Sequence, residues 1–217
     1  MAIRNLIPLI LSIILIGLIC ILLLLRIQNQ TIWHRSFVNF DVIFALVYVA
    51  WITFEGKVSK AEISKGKTIS DFGTFEFYAI SQAAVILSAL WLNSVYTSPS
   101  IYHFLGFIIF LTGIAFRQWA IQTLGRTYSH VVRKVEDSEI INSGPYKYIR
   151  HPAYAGMILA NFGIVIFFFN AVTLIFFLLA LIPAILLRIF VEEKTLFKIE
   201  AYRRYAQNHS RLIPGIW

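Results

Sequence analysis

The residue types able to do chemistry crowd into the second half of this 217-residue chain. From Gly125 onward it reads Ser129-His130-Val131-Val132-Arg133, then Ser143-Gly144-Pro145-Tyr146, then Arg150-His151-Pro152-Ala153-Tyr154-Ala155-Gly156. Farther on come Arg188, Glu192 and Glu193, then Tyr202, Tyr205, Arg211 and Pro214. Gly144-Pro145 marks a turn, and Pro152 suits the first turn of a helix, where a missing N–H is no loss. His151 then stands at the cap, where its ring and the free first-turn N–H groups can address a carboxylate or another anion. Arg188 and Glu192, four residues apart, share one helix face. Two readings of that pair stand side by side. One is a structural ion pair at a membrane surface; the other is a receptor for a zwitterion, with a guanidinium for its carboxylate and a carboxylate for its ammonium group.

These residues must be positioned by membrane helices. Hydrophobic residues make up 59% of the chain and charged ones 14%, with a mean hydropathy of +0.74; soluble domains are nearer 45–50% and about 25%. A water-soluble globular domain is thereby excluded. The apolar residues fall in long runs. Leu6 to Leu25 gives 20 positions without a charge, enough to cross about 30 Å of hydrocarbon. It is too long for a signal-peptide core and lacks a following small-x-small cleavage pattern, so it is expected to be retained. Further spans are expected over Val38 to Phe54, Phe75 to Leu92 and Ile101 to about Leu124.

The last apolar block, Ala153 to Phe190, holds 38 residues and as one helix would reach about 57 Å, nearly twice the hydrocarbon thickness. Asn170 near its middle reads as the tip of a helical hairpin joining Tyr154 to Phe169 with Ala171 to Phe190. A tail from Val191 to Gln207, with Leu196, Ile199, Tyr202 and Ala206 on one face, reads as an amphipathic surface helix. The fold class is therefore an all-α integral membrane protein of about six membrane helices, the last two a hairpin, with a cytoplasmic C-terminal amphipathic helix. No repeat or linker argues for more than one domain over 1–217.

Charge sets the orientation. In a soluble chain a formal charge of +8 would suggest nucleic acid. Here it reports topology, and no nucleic-acid partner is expected. Of 19 basic residues only Arg26 and Arg35 fall in the odd-numbered loops, which places both termini and most polar side chains in the cytoplasm. In the first half, Asp41, Glu76 and the Glu55 to Asp71 stretch read as interfacial anchors and a solvated loop. Arg117 lies inside the fourth span, either snorkelling to the surface or serving a site. The single cysteine, Cys20, excludes an intrachain disulfide and a CxxC motif. No GxGxxG, Walker A or GxSxG pattern occurs. His130 and His151, 21 residues apart without cysteines, give no metal-ligand pattern.

The set GPYxxxRHPxYxG, present as Gly144 to Gly156 and followed by an apolar hairpin and RxxxEE at Arg188 to Glu193, resembles the isoprenylcysteine carboxyl methyltransferase family of integral membrane methyltransferases. His130-Val131-Val132 and the closing Tyr202-x-x-Tyr205 with Arg211 and Pro214 look like it too. The resemblance covers roughly Gly113 to the C-terminus, making 101–217 the methyltransferase core and 1–100 a set of helices without specific signal. It implies an S-adenosylmethionine site open to the cytosol, with access from the bilayer for a lipid-like or prenylated substrate. Carried over residue by residue, it implies cofactor contacts at His130, Arg133, Ser138, Glu139, Ile140, Ile141, Tyr146, His151, Pro152, Ala153, Tyr154 and Glu192. The strand-like stretch would be Ser138 to Ile141. Arg188 would face the boundary between cofactor and substrate carboxylate, and Arg117 resembles an arginine close to the substrate in eukaryotic members; these two are the catalytic candidates. Arg133 departs from the glutamine common there.

Carboxyl methylation of a prenylated cysteine or similar acid is the leading expectation. Phospholipid N-methyltransferases resemble the same half, and an amine acceptor would need Glu192, Glu193 or His130 as a base. The third alternative is a non-catalytic membrane scaffold.

Overall fold

A computed structural model describes residues 2–28, 38–63, 73–92, 94–96, 100–125 and 140–217. In chain order these form α1 (Ala2–Gln28), α2 (Val38–Ile63), α3 (Thr74–Trp91), α4 (Ile101–Leu124), α5 (Pro152–Phe167), α6 (Ala171–Phe176), α7 (Ile182–Leu196) and α8 (Glu200–Gln207). A 3₁₀ turn at Gly144–Lys147 leads into α5, and a π-helical turn at Phe177–Leu181 joins α6 to α7. Among the described residues there is no named strand, so this is an all-α membrane protein. Leu9–Gln28, Thr74–Trp91, Ile101–Leu124 and Ala171–Leu196 are long and apolar enough to cross a bilayer. A count of six crossings needs α2 and the 16-residue α5 in addition.

The hairpin turns where expected. Asn170 Oδ1 accepts from the Thr173 backbone N–H at 2.9 Å, and its amide donates to the Phe168 carbonyl at 3.2 Å, capping α6 and closing the turn with one side chain. Two elements differ from the sequence reading. α2 does not stop near Phe54 but continues to Ile63, and Glu55 just beyond that expected end finds partners within the bundle. The tail helix does not run unbroken from Val191 to Gln207. α7 extends to Leu196, the chain turns through Phe197 to Ile199, and a separate α8 follows.

α4 and α5 lie antiparallel with their backbones in contact. Gly106 and Gly113 face Gly163 and Gly156: a Cβ on Gly106 would stand 2.6 Å from the Phe167 nitrogen, and one on Gly156 2.7 Å from the Arg117 nitrogen. Inside a bilayer, where lipid tails are as apolar as leucine, such close packing is what drives helices together. Its consequence is local. It presses Arg117, near the end of α4, against the first turn of α5.

Elsewhere α1 packs on α2 and α3, and α3 on α5, α6 and α7. Phe44 of α2 anchors this side, fully buried, with ring centroids 4.5 Å from Phe110 and Phe167 and 5.2 Å from Phe168. At the opposite end of the bundle from Arg117, Arg26 and Asp41 form a buried ion pair, and Arg26 Nη2 donates to the Leu92 carbonyl at 3.1 Å. Asp41 is thus no interfacial anchor. It ties α1, α2 and the end of α3 together.

Candidate active site

The chemistry-bearing side chains gather where α2, α4 and α7 end and α3 and α5 begin. Arg117 is 3% exposed and does not snorkel. Its Nη1 donates to the Ala153 carbonyl at 3.2 Å, while Nε and Nη2 form a fork onto Glu55 of α2, Nη2 to Oε2 at 2.9 Å. Glu55 also accepts from Trp51 Nε1 at 2.9 Å and Gln118 Nε2 at 3.2 Å. A carboxylate with four donors is compensated for its removal from water.

The second arginine sits on α7. Arg188 Nε donates to the Tyr154 hydroxyl at 3.3 Å, and that hydroxyl donates to Glu192 Oε2 at 3.0 Å. The tyrosine of α5 therefore bridges the two charges of the expected Arg188–Glu192 pair. On its other side the Arg188 guanidinium lies 5.4 Å from the Phe75 ring and 5.8 Å from Tyr78, both on α3. Two aromatic faces and a phenol hold it in place.

Glu193, one position along, turns the other way. It is 3% exposed and meets Arg150 Nη1 at 2.9 Å, His151 Nε2 at 3.2 Å and Arg211 Nε at 2.8 Å. His151 thus stands at the N-cap position of α5 without a side-chain cap bond, its ring turned to an internal carboxylate. The closing segment is stitched to the same place. The Arg150 and His151 backbone N–H groups donate to the Ser210 and Arg211 carbonyls at 2.8 and 3.0 Å, and the Tyr205 hydroxyl donates to the Tyr146 carbonyl. Burial pushes the Tyr205 hydroxyl up to about 12, with Arg150 partly offsetting it. Two buried polar atoms in this cluster have no partner among the described residues, Arg150 Nε and the Tyr202 hydroxyl. Beside them, Glu192 is half-buried.

An apolar cavity of about 240 Å³ opens onto Arg117. Leu11, Leu15 and Leu18 of α1, Ile52 of α2, and Ala79 and Ala83 of α3 wall it, and Glu55 and Arg117 stand at its polar end. The N-terminal helices, which carried no specific signal in the sequence, build its walls.

Of the expected site residues, the structure brings together Arg117, Ala153, Tyr154, Arg188 and Glu192, with His151 and Pro152 buried behind them. Tyr146 is buried, packed with Ala120, Ile121 and Ala153. Ile140 and Ile141 are half-buried in irregular chain, not strand. His130, Arg133, Ser138 and Glu139 lie outside the described residues. The sequence reading missed Glu55 and gave Glu193 no structural part. Trp51 and Glu55, four apart at a span end, were the only local hint of the first. Nothing local marked the second, whose partners come from two separate segments, Arg150–His151 and Arg211.

Comparison with known proteins gives one consistent result. The model of the isoprenylcysteine carboxyl methyltransferase (ICMT) family matches residues 104–198. A rice protein (Oryza sativa subsp. indica) named "Probable protein-S-isoprenylcysteine O-methyltransferase" is 33% identical over 117 residues, 52% of this chain and 61% of that protein. Protein-S-isoprenylcysteine O-methyltransferase of Saccharomyces cerevisiae is 31% identical over 96 residues, 43% of this chain and 40% of its own length. Protein-S-isoprenylcysteine O-methyltransferase A of Arabidopsis thaliana is 26% identical over 180 residues, 78% of this chain and 86% of its own. The match thus spans about three fifths of the rice relative.

Proposed function

We propose that this chain, whose residues 104–198 match the model of the isoprenylcysteine carboxyl methyltransferase family, methylates the carboxylate of a prenylated cysteine or a similar lipidic acid with S-adenosylmethionine as donor. The observation carrying this is the cavity. A hydrocarbon chain ending in a carboxylate has the same polarity profile as an apolar pocket ending in the buried Arg117 guanidinium. Pockets for drug-sized ligands run roughly 300–1,000 Å³, so about 240 Å³ suits a single chain better than a two-chain phospholipid.

The donor set of the Arg188 to Glu193 region fits the cofactor. Arg150 Nε is a buried donor awaiting an acceptor, as a carboxylate would be, and half-buried Glu192 suits an ammonium group. Tyr202 offers a buried hydroxyl. With them would stand Arg188, His151, Pro152, Ala153 and Tyr154 and, on the family resemblance, His130, Arg133, Ser138, Glu139, Ile140, Ile141 and Tyr146. S-adenosylmethionine, when bound, supplies an electrophilic methyl group on a positively charged sulfur.

The protein's own part is to position and to exclude water. A carboxylate is ionised at pH 7 and needs no general base. Arg117 orients it, held itself by the Ala153 carbonyl; Arg188 holds the boundary; and the apolar walls strip water from around the opposite charges. Six crossings with both termini and the site in the cytoplasm complete the reading, supported by the one-sided distribution of basic residues.

The test is a methyl-transfer assay with labelled S-adenosylmethionine and the detergent-purified full chain, offering prenylcysteines, fatty acids and phospholipid amines. The expected product is a base-labile methyl ester of a prenylcysteine; no heat of cofactor binding, or no acid methylated, overturns the reading. One observation favours amine methylation instead, the Glu55 carboxylate at the cavity end. A base-stable N-methyl product would establish it.

A further inference from the structure

Glu55 stands where the proposed acceptor's carboxylate must go. It takes two of the three donating nitrogens of Arg117, Nε and Nη2, in the forked geometry that a bound carboxylate would adopt, and Ala153 holds the third. Both residues line the polar end of the cavity. An acceptor seated there meets an arginine already engaged.

Exposure says which partner can move. The Arg117 side chain is 4% exposed and fixed from two sides, whereas that of Glu55 is 15% exposed. Glu55 also has somewhere to go. Trp51 Nε1 and Gln118 Nε2 donate to its Oε1, the oxygen that also accepts from Arg117 Nε, so a carboxylate swinging off the guanidinium has two further donors beside it. A carboxylate depending on Arg117 alone would be stranded, and its release would cost the full penalty of a buried, unpaired charge. A second guanidinium stands behind the cavity wall, Arg188 lying 5.8 Å from the ring of Tyr78, which lines the same cavity as Arg117.

We infer that Glu55 is an internal stand-in for the acceptor carboxylate, a specificity-determining residue that the acceptor must displace from Arg117. This rests on the carboxyl-methylation reading and adds to it a selection rule. Only a ligand that brings both an ionised carboxylate and enough apolar chain to fill the cavity recovers what the exchange costs. A neutral lipid, or a hydrophilic acid, supplies one half and leaves Glu55 in place.

The test uses the full chain in detergent with N-acetyl-S-farnesylcysteine as the acid and its methyl ester as the carboxylate-free control. Glu55→Gln keeps the shape and removes the competing charge. Its KM for the acid falls several-fold and binding of the ester is unchanged, with cofactor affinity by calorimetry as in the parent. An unchanged or raised KM for the acid overturns the inference, as does equal tightening of acid and ester. Should Glu55→Gln not fold, Trp51→Phe removes one donor from the displaced position. It raises KM for the acid more than it weakens ester binding, and an equal change in both overturns the inference. A parent protein that methylates no prenylcysteine removes the carboxyl-methylation reading itself; an active parent with an indifferent Glu55→Gln removes only the role of Glu55.

Discussion

His151 Nε2 lies 3.2 Å from Glu193 Oε1, with both side chains 3% exposed, so the residue at the N-cap position of α5 is bound to the end of α7. Through Arg211 on its other oxygen, Glu193 extends the same tie to the closing segment of the chain. Glu193→Gln leaves the charged partners facing a neutral amide, and removal of one member of a buried pair typically costs about 3–5 kcal/mol. The expected result is a lower thermal midpoint, with residues after Leu196 cut first in limited proteolysis. A wild-type cleavage pattern would contradict the tie.

Gly156→Val places methyl groups against the Arg117 backbone and Cβ. Overpacking of this kind costs about 1–3 kcal/mol, and here it also pushes Arg117 off the Ala153 carbonyl. Both midpoint and kcat/KM are expected to fall. Gly17→Ala is the control, since a Cβ there meets nothing within 4 Å, and it should leave both as they are or raise the midpoint slightly.

The Tyr205 hydroxyl, buried and pushed up to about 12, predicts a pH dependence at the alkaline end. In the unfolded chain a tyrosine loses its proton near 10. Below that value the stability held by the neutral hydroxyl is complete; between about pH 10 and 12 the unfolded state alone gives up its proton, and the stability is lost. Tyr202, also raised by burial, adds in the same sense. The thermal midpoint should therefore drop across this window. Tyr205→Phe should start lower at neutral pH and drop less steeply; an equal slope would refute the assignment.

Ala83→Phe fills the cavity wall on α3. If the acceptor's chain lies there, KM for farnesyl acceptors rises, shorter chains are favoured, and calorimetric cofactor affinity does not change. Loss of cofactor binding would show that the cavity serves another ligand.

Arg188→Ala and Glu192→Gln each break one half of the bridge through Tyr154. Both are expected to weaken S-adenosylmethionine binding by about 1–3 kcal/mol, the cost of an unmet partner in a charged hydrogen bond. Retained affinity in both would favour the scaffold reading.

What was legible in the sequence was whatever local pattern determines. The bounds of α3 and α4 and the turn at Asn170 follow from runs of apolar residues and one polar interruption, and the structure has them where expected. Arg188 and Glu192 share a face because four residues make about one turn. Glu55 was unreadable for the opposite reason. It sits 62 positions from Arg117, and a glutamate followed by lysines has the same local look whether it meets water or an arginine. The walls of the cavity were equally hidden, since leucines and alanines facing a pocket and those facing lipid obey the same composition rule.

The single π turn at Phe177–Leu181 changes the angular phase of everything after it. One extra residue in an otherwise α-helical run rotates the following side chains by about 100°. Without it, Arg188, Glu192 and Glu193 would point roughly a quarter-turn away from α5 and the tail, toward lipid or empty space. The turn acts as a vernier between the half of the helix that contacts the bilayer and the half that carries charge, and it lets each take its own orientation. Winding the same residues 177–181 as a regular α turn would leave the hydrophobicity of the span untouched and still unseat the charged end.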